Sequence, residues 1–224
     1  KKIGVLIMHL GALLLLIGGG VTAMFSSEGN MIIVEGSSSN YVIDYHDMEL
    51  ALINKSFSDY DLFTVFDQSS LKKGNILNHN NLSFEIEIIS LIENCSPERR
   101  TISTGFEYKG ILKNFMLDEL KPEKEDSRNT PGLIFKIQNS ETNINGIYGL
   151  FLNQSVAQTI IVQDQKFELI FRRKQTYLPF TLELIDFKKI EHPGTGIAKS
   201  YSSEVNLIEN NIPRRVLIQM NEPL

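Results

Sequence analysis

The 224-residue sequence contains a single cysteine, Cys95. An internal disulfide or a CxxC redox pair needs two cysteines, so a thiol–disulfide role is excluded for this chain acting alone. A free cysteine in a folded domain is more often a small buried side chain than a reactive thiol. We therefore expect Cys95 to be buried and unreactive.

Positive charge is also scarce. The chain has 22 Lys and Arg residues against 27 Asp and Glu residues, which gives a formal net charge of -5. A nucleic-acid partner requires a basic surface that neutralises phosphates, so this balance argues against one. Three basic pairs could meet an anionic ligand, but exposed surface charge is the favoured interpretation: Arg99–Arg100, Arg172–Arg173 and Arg214–Arg215.

The signatures of common enzyme sites are missing. The sequence has no GxSxG, no HExxH, no nucleotide-binding glycine loop before a helix and no metal-ligating cluster of Cys and His. Glu85 and Glu87 share one face of a predicted strand, but such carboxylates are usually solvated. His46, His79 and His192 occur in polar or turn-like contexts and are predicted to lie on the surface. No catalytic residue is therefore assigned.

One long apolar segment is present at the N-terminus. No formally charged residue occurs from Ile3 to Phe25, and about 20 helical residues suffice to cross a hydrocarbon core of roughly 30 Å. Two lysines precede the segment and neutral or acidic residues follow it, so the N-terminus is predicted to be cytoplasmic. We expect residues 1–28 to form a transmembrane helix and junction, and residues 29–224 an exoplasmic β-rich domain.

A cleaved secretory signal is the competing interpretation of this segment. Such signals also begin with lysines and an apolar run, but their apolar core is usually about 7–15 residues long. The run here is longer and contains a histidine, which favours a retained span. Because the sequence begins at Lys1 and stops at Pro223–Leu224, we expect it to be a piece of a longer chain, truncated at both ends.

Period-two alternation dominates the rest of the sequence. Apolar and charged residues alternate in 84–88, 167–172 and 215–220, which is typical of half-buried strands. The other predicted strands are Met31–Glu35, Tyr41–Tyr45, Leu62–Phe66, Leu133–Gln138, Ile147–Leu152, Thr159–Gln163 and Thr181–Phe187. The charged stretch from Asp118 to Pro131 is predicted to be a solvated loop. The predicted fold is mainly β: a transmembrane helix followed by an antiparallel β-sandwich or barrel-like domain, with little further helix.

His9 is the unusual residue of the apolar segment. At about 100° per residue, Gly4, Gly11 and Gly18 fall on one stripe, where another helix can approach closely. His9 lies on the opposite face, roughly 160° from Gly11. The helix is therefore predicted to be packed on both sides, as in a bundle of several spans.

An ionisable side chain inside a bilayer needs a partner. The low dielectric of the membrane favours neutral imidazole over imidazolium, which leaves a nitrogen lone pair for a ligand such as haem iron. A hydrogen bond from His9 to a neighbouring helix is the alternative. The residues alone favour the hydrogen bond, but they leave both interpretations open.

A set of short motifs recurs in a particular order along the chain. At the N-terminus these are His9-Leu10-Gly11, Glu28-Gly29 and Glu35-Gly36. Towards the C-terminus they are Leu178-Pro179-Phe180, Asp186-Phe187, Pro193-Gly194-Thr195, Tyr201 with Ser203 and Val205, Met220-Asn221 and Pro223-Leu224. In this order and spacing the sequence resembles the ResB/CcsB family of cytochrome c biogenesis proteins. Residues 37–166 match the family only in pattern.

The resemblance implies a multi-span protein of the bacterial inner (plasma) membrane with a large periplasmic domain between two spans. Its implied partner is the CcsA/ResC membrane protein, separate or fused as in CcsBA. Together they attach haem to the CxxCH motif of apocytochrome c in the system II pathway. A thiol-reducing thioredoxin-like protein is a further candidate partner. His9 matches the position of an axial ligand to a haem b held in the membrane.

The chain departs from a complete cytochrome c haem lyase in two respects. It contains no tryptophan, so the tryptophan-rich haem-handling segment of the partner is absent, and no other membrane segment supplies a second axial histidine. The resemblance therefore implies one component of a holocytochrome c synthase, whose β-rich domain positions apocytochrome or scaffolds the partner. A signal-anchored exoplasmic binding or scaffold module without cofactor is the alternative. An exoplasmic hydrolase would require a buried carboxylate pair or a Ser–His pair.

Overall fold

The computed structural model describes residues 2–26, 28–101, 105–138 and 143–222. It is mainly β, with antiparallel sheets and one N-terminal α-helix, which confirms the predicted fold class. The chain divides into two compact units. Unit 1 comprises residues 1–45 and 177–224, and unit 2 comprises residues 46–176. The predicted division into residues 1–28 and 29–224 stays a prediction.

The helix, α1, spans Lys2–Phe25. It contains no proline and is rich in leucine, and it ends where the apolar run gives way to serine. At about 1.5 Å per residue it is roughly 36 Å long. Residues Ile3–Phe25 are long and apolar enough to cross a membrane, and their side chains are exposed in the described chain. This agrees with the predicted span.

The described residues contain thirteen strands. They are β1 (Gly29–Asn30), β2 (Ser38–Asn54), β3 (Leu62–Asp67), β4 (Ile76–Leu77), β5 (Glu85–Ile92), β6 (Cys95–Arg99), β7 (Phe115–Glu119), β8 (Gly132–Gln138), β9 (Gly146–Phe151), β10 (Gln158–Val162), β11 (Gln165–Glu191), β12 (Ala198–Glu209) and β13 (Ile212–Gln219). Short 3₁₀ turns occur at Gln68–Ser70, Gly110–Lys113 and Asp126–Arg128.

Unit 1 contains a sheet in the order β1-β2-β11-β12-β13. One face is apolar and buries Leu184, Val205 and Leu207. The opposite face carries polar pairs across neighbouring strands, such as Asn206 Nδ2 donating to Glu183 Oε2 at 2.8 Å. This alternation is what a sheet covered on one side requires.

Gly29 allows the sheet of unit 1 to begin directly after the helix. In the β1–β2 ladder Gly29 lies opposite Asp44, and a Cβ at this position would overlap the carbonyl oxygen of Ile43 and lie 2.7 Å from Val42 Cγ1. Only a residue without a side chain fits this close approach of two backbones.

Unit 2 is a β-sandwich. One sheet of the sandwich is formed by β3, β2, β11 and β10. The facing sheet is formed by β4, β5, β8 and β9. Apolar residues from both sheets form one buried cluster, including Leu50, Phe84, Phe135, Phe167 and Leu169. The sandwich that the alternation predicts is confirmed in this unit. Among the described residues, the first and last strands of each sheet do not pair, so neither sheet is closed into a barrel.

A second, smaller cluster lies on the other face of β8 and β9. It is formed by Ile92, Cys95, Leu112 and Leu117, with half-buried residues around it. The β6–β7 hairpin and the 3₁₀ turn at Gly110–Lys113 supply most of these side chains. This layer has no counterpart among the strands predicted from the sequence.

Two local predictions are corrected by the structure. The strand predicted at Met31–Glu35 is wrong: the segment has no ladder partner, although Met31 and Ile33 face inward and Ile32 and Val34 are exposed. Its alternation is real, but the β1–β2 ladder ends at Asn30, just before the segment, and the next strand, β2, begins at Ser38. The loop predicted from Asp118 is partly a strand, because β7 continues to Glu119 before the exposed stretch begins.

Candidate functional site

His9 lies in the first half of α1, six residues after Ile3. Its Nδ1 is 2.7 Å from the carbonyl oxygen of Val5, one helical turn earlier. A carbonyl oxygen can only accept a hydrogen bond, so in this contact Nδ1 carries the proton. The neutral ring then keeps its lone pair on Nε2, which is the nitrogen left open for a ligand.

The hydrogen bond to Val5 satisfies one of the two polar atoms of the ring and leaves the other exposed. Thr22, the other polar side chain that projects from the apolar run, donates to the carbonyl oxygen of Gly18 at 3.0 Å. Both residues therefore use the same i−4 arrangement, which suits an apolar environment. An imidazole held at Nδ1 by a backbone carbonyl, with Nε2 free, is a common arrangement for a metal ligand. The donor chemistry of His9 therefore fits a haem-iron ligand.

The glycine stripe lies on the other side of the helix. A Cβ placed on Gly4, Gly11 or Gly18 would meet no atom within 4 Å. This face is open in the described chain, as is the face that carries His9. Both faces that the sequence predicts to be packed are therefore available to other helices or to lipid.

The N-terminal part of the chain, which includes α1 and the start of the sheet of unit 1, matches a family model. Residues 1–65 match the model of the ResB-like family. This segment is ResB-like. The match confirms the family resemblance over this segment and supports a role in cytochrome c biogenesis. No curated protein matches the chain.

The ResB-like segment contacts the C-terminal motifs directly in unit 1. The carboxylate of Glu35 accepts a hydrogen bond from the backbone N–H of Phe187 at 2.7 Å. Next to it, Gly36 N–H donates to Leu184 O at 2.8 Å, and Leu184 N–H donates to Ser37 O at 3.0 Å. These bonds lie beside a register shift of β11 and β12 between Leu184 and Asp186. The Glu35–Gly36 motif thus holds the irregular backbone of the Asp186–Phe187 motif.

Two of the other C-terminal motifs lie at one end of the same sheet. Pro193-Gly194-Thr195 makes the turn between β11 and β12, and Gly194 has the positive φ of 76° that the turn requires. Phe187 stacks on Tyr201 with 6.0 Å between ring centroids. Motifs that are far apart in the sequence therefore meet in unit 1, whereas Pro223–Leu224 lies outside the described residues.

Cys95 lies in the small cluster of unit 2 and is buried, as predicted. Its sulfur lies against Gly132, where an added Cβ would approach Sγ to 2.6 Å. Burial raises the pKa of the Cys95 thiol to about 11. The thiol is therefore protonated at neutral pH, and it is not placed for redox exchange.

The reactivity of Cys95 tests this arrangement. We expect the native protein to react with Ellman's reagent at pH 8 more than about tenfold slower than the urea-unfolded protein, because both access and thiolate content are reduced. Cys95→Ser supplies the blank for the assay. Equal rates in native buffer and in urea would show that the thiol is accessible.

The basic pairs do not all lie on the surface. Arg99, Arg214 and Arg215 are exposed, as predicted, and Arg215 Nε lies 2.6 Å from Glu204 Oε1. For Arg172 the prediction is wrong, because its side chain is only 18% exposed and its Nε donates to Glu49 Oε1 at 2.8 Å. The sequence feature that could have predicted this buried ion pair is Glu49, which is the single charged residue in the apolar run of β2 from Met48 to Ile53.

The described carboxylates of unit 2 do not form a buried pair. Glu49 is the only buried carboxylate in the described chain, and Arg172 neutralises it. Glu87 lies on a half-exposed face, where Gln138 Nε2 donates to it at 3.4 Å. In the part of the chain that is described, no three His, Cys, Asp or Glu residues are grouped as metal ligands. His46, His79 and His192 are exposed, as predicted.

Proposed function

We propose that this chain is a membrane component of the system II cytochrome c synthase, in which His9 is an axial ligand of a haem b within the bilayer. The observation that carries the proposal is the orientation of the imidazole. Its Nδ1 donates to Val5 O and its Nε2 remains open on an exposed face of an apolar helix. The match of residues 1–65 to the ResB-like family supports the same assignment.

The position of His9 suits a ligand near the cytoplasmic side. With Lys1 and Lys2 in the cytoplasm, six residues beyond Ile3 place His9 roughly 9 Å into the hydrocarbon. At that depth an unpaired polar atom is costly, so an open Nε2 must be filled by a ligand or a donor from another helix. Coordination of iron meets this requirement.

In this proposal α1 supplies one ligand and the partner supplies the rest. The CcsA/ResC protein, separate or fused, contributes the second axial ligand and packs against the helix, for which the glycine stripe leaves open space. The β-strands of units 1 and 2 then lie on the periplasmic side of the bacterial inner membrane, where they scaffold the partner and position apocytochrome c. A thioredoxin-like reductant keeps the CxxCH thiols of the apocytochrome reduced. Bound haem supplies the vinyl groups that react with those thiols.

The proposal is tested on the full-length chain, co-expressed with its partner and purified from membranes. His9→Ala is expected to lower the haem content by at least about tenfold, because a ligand is removed, and to shift the Soret and α bands of the remainder. His9→Gly with added imidazole is expected to regain the original spectrum, since free imidazole can occupy the vacated position.

Leu10→Ala is the matched control, because it shortens the next side chain of the same helix without removing a donor. It is expected to leave the spectrum unchanged. Full haem occupancy with unaltered bands in His9→Ala would reject the ligand assignment. The chain would then be an anchored exoplasmic module without cofactor.

A further inference from the structure

Unit 2 contains an apolar cavity of about 620 Å³ beside its smaller core cluster. This volume is in the range of small-molecule sites, which are usually apolar with a few placed polar groups. The outer face of the sandwich, the β6–β7 hairpin and the 3₁₀ turn at Gly110–Lys113 all contribute to its walls. The apolar residues that define it are Phe106, Leu112, Met116, Leu117, Ile134 and Ile147.

Arg100 is the cation that lines this cavity. Its Nε donates to Leu112 O at 2.9 Å and its Nη2 donates to Phe115 O at 3.2 Å. The guanidinium carbon lies 3.7 Å from the centroid of the Tyr108 ring. These contacts fix the plane of the guanidinium at the wall and hold it against an aromatic face.

The described residues supply no anionic partner for Arg100. Among the described residues it forms no ion pair, and both of its hydrogen-bond acceptors are uncharged backbone carbonyls. Lys109, which lies on the nearby loop, is paired with Glu107 at 2.7 Å. A guanidinium has five N–H donors, of which two are used here, so Arg100 can still bind an anion.

We propose that this cavity binds a long-chain carboxylic acid, with the acyl chain against the apolar walls and the carboxylate on Arg100. One cation at a mainly apolar wall matches one carboxylate. A neutral lipid would leave the guanidinium without an anion, and a dicarboxylate would require a second cation on the lining. Phe106 and Met116 are exposed enough to form the mouth of the cavity. The site is in unit 2 and does not depend on His9.

The test uses the full-length chain in phosphatidylcholine nanodiscs and a palmitic acid analogue that carries a photoreactive diazirine near the end of its chain. We expect the acid to label peptides that contain Phe106, Leu112 or Met116. Its methyl ester is expected to label them about tenfold less, because the charge-assisted hydrogen bond is lost. Unlabelled palmitate should compete, and methyl palmitate should not.

Variants separate recognition by charge from structural effects. Arg100→Met is expected to reduce labelling about tenfold, and Arg100→Lys should retain most of it, because it keeps the charge. Arg99→Met, at the adjacent exposed position, is the matched control and should label like the original protein. His9→Ala should also label fully, so a failure of the haem proposal is visible separately.

Several results would overturn the proposal. Equal labelling by acid and ester would show that charge recognition is absent. Labelling confined to α1 would show partition into lipid only. Competition by haemin but not by palmitate would assign the cavity to a porphyrin instead. Full labelling of Arg100→Met would remove the assigned role of the guanidinium, and circular dichroism of each variant checks that it is folded.

Discussion

Glu49→Ala is expected to lower the free energy of unfolding of unit 2 by about 3–5 kcal/mol, because it leaves Arg172 buried without its anion. Glu49 is 2% exposed, and its carboxylate lies 2.8 Å from Arg172 Nε. Arg172 Nη2 is buried and already has no hydrogen-bond partner among the described residues. Loss of Glu49 removes the anion that compensates for a charge held away from water.

Urea denaturation of the chain, followed by far-ultraviolet circular dichroism, measures this loss. Hydrogen exchange should also accelerate along β2 and β11, the two strands that carry the pair. The double variant Glu49→Leu with Arg172→Met removes both charges and is expected to regain most of the stability. Glu85→Ala, at an exposed position of β5, is the matched control and should change stability by less than about 0.5 kcal/mol. A Glu49→Ala protein as stable as this control would contradict the prediction.

Phe167→Ala is expected to cost about 3–5 kcal/mol, through lost burial and the cavity that remains. Phe167 is 2% exposed and lies opposite Ile160 in the β10–β11 ladder. Its ring meets the edge of Phe84 from the facing sheet, with centroids 5.4 Å apart and planes at 84°. The side chain therefore joins the two sheets of the sandwich, and its loss cannot be compensated by either sheet alone.

Ile161→Ala is the matched control for this substitution. Ile161 is in the neighbouring strand β10, next to Ile160, but it is 58% exposed and faces away from the core. Its replacement is expected to change the free energy of unfolding by less than about 0.5 kcal/mol. The same urea titration compares both variants. Equal losses for the two would mean that Phe167 does not carry the contact between the sheets.

Much of the fold was predictable because strand alternation is a local property. The pattern at Phe167, Leu169 and Phe171 identified three residues that are all buried in the core of unit 2. The same reasoning failed at Met31–Glu35, which alternates in the same way but has no strand beside it. A strand needs a hydrogen-bonding neighbour, and the sequence does not say where that neighbour lies.

The sequence identified His9 as a candidate ligand, but it did not predict the surroundings of Arg172 and Arg100. His9 stood out because a polar ring in an apolar run needs an explanation, whichever partner it binds. The position of its proton was not predictable, since the contact with Val5 O depends on the rotamer in the helix. The sequence predicts surface charge for Arg172 and Arg100. A pair of arginines has the same sequence pattern whether the folded chain buries it or leaves it exposed to solvent.

By itself the sequence determined the apolar helix that is long enough to cross a membrane, the mainly-β character of the remainder and the order of motifs that carries the family resemblance. Each of these depends on residues that are neighbours in the chain. Only the tertiary structure decided which charges are buried, that Glu35 holds the backbone of Phe187, and that Arg100 faces an apolar cavity. These features join residues that are far apart in sequence, and the energy of a charge or an apolar side chain depends on what surrounds it after folding.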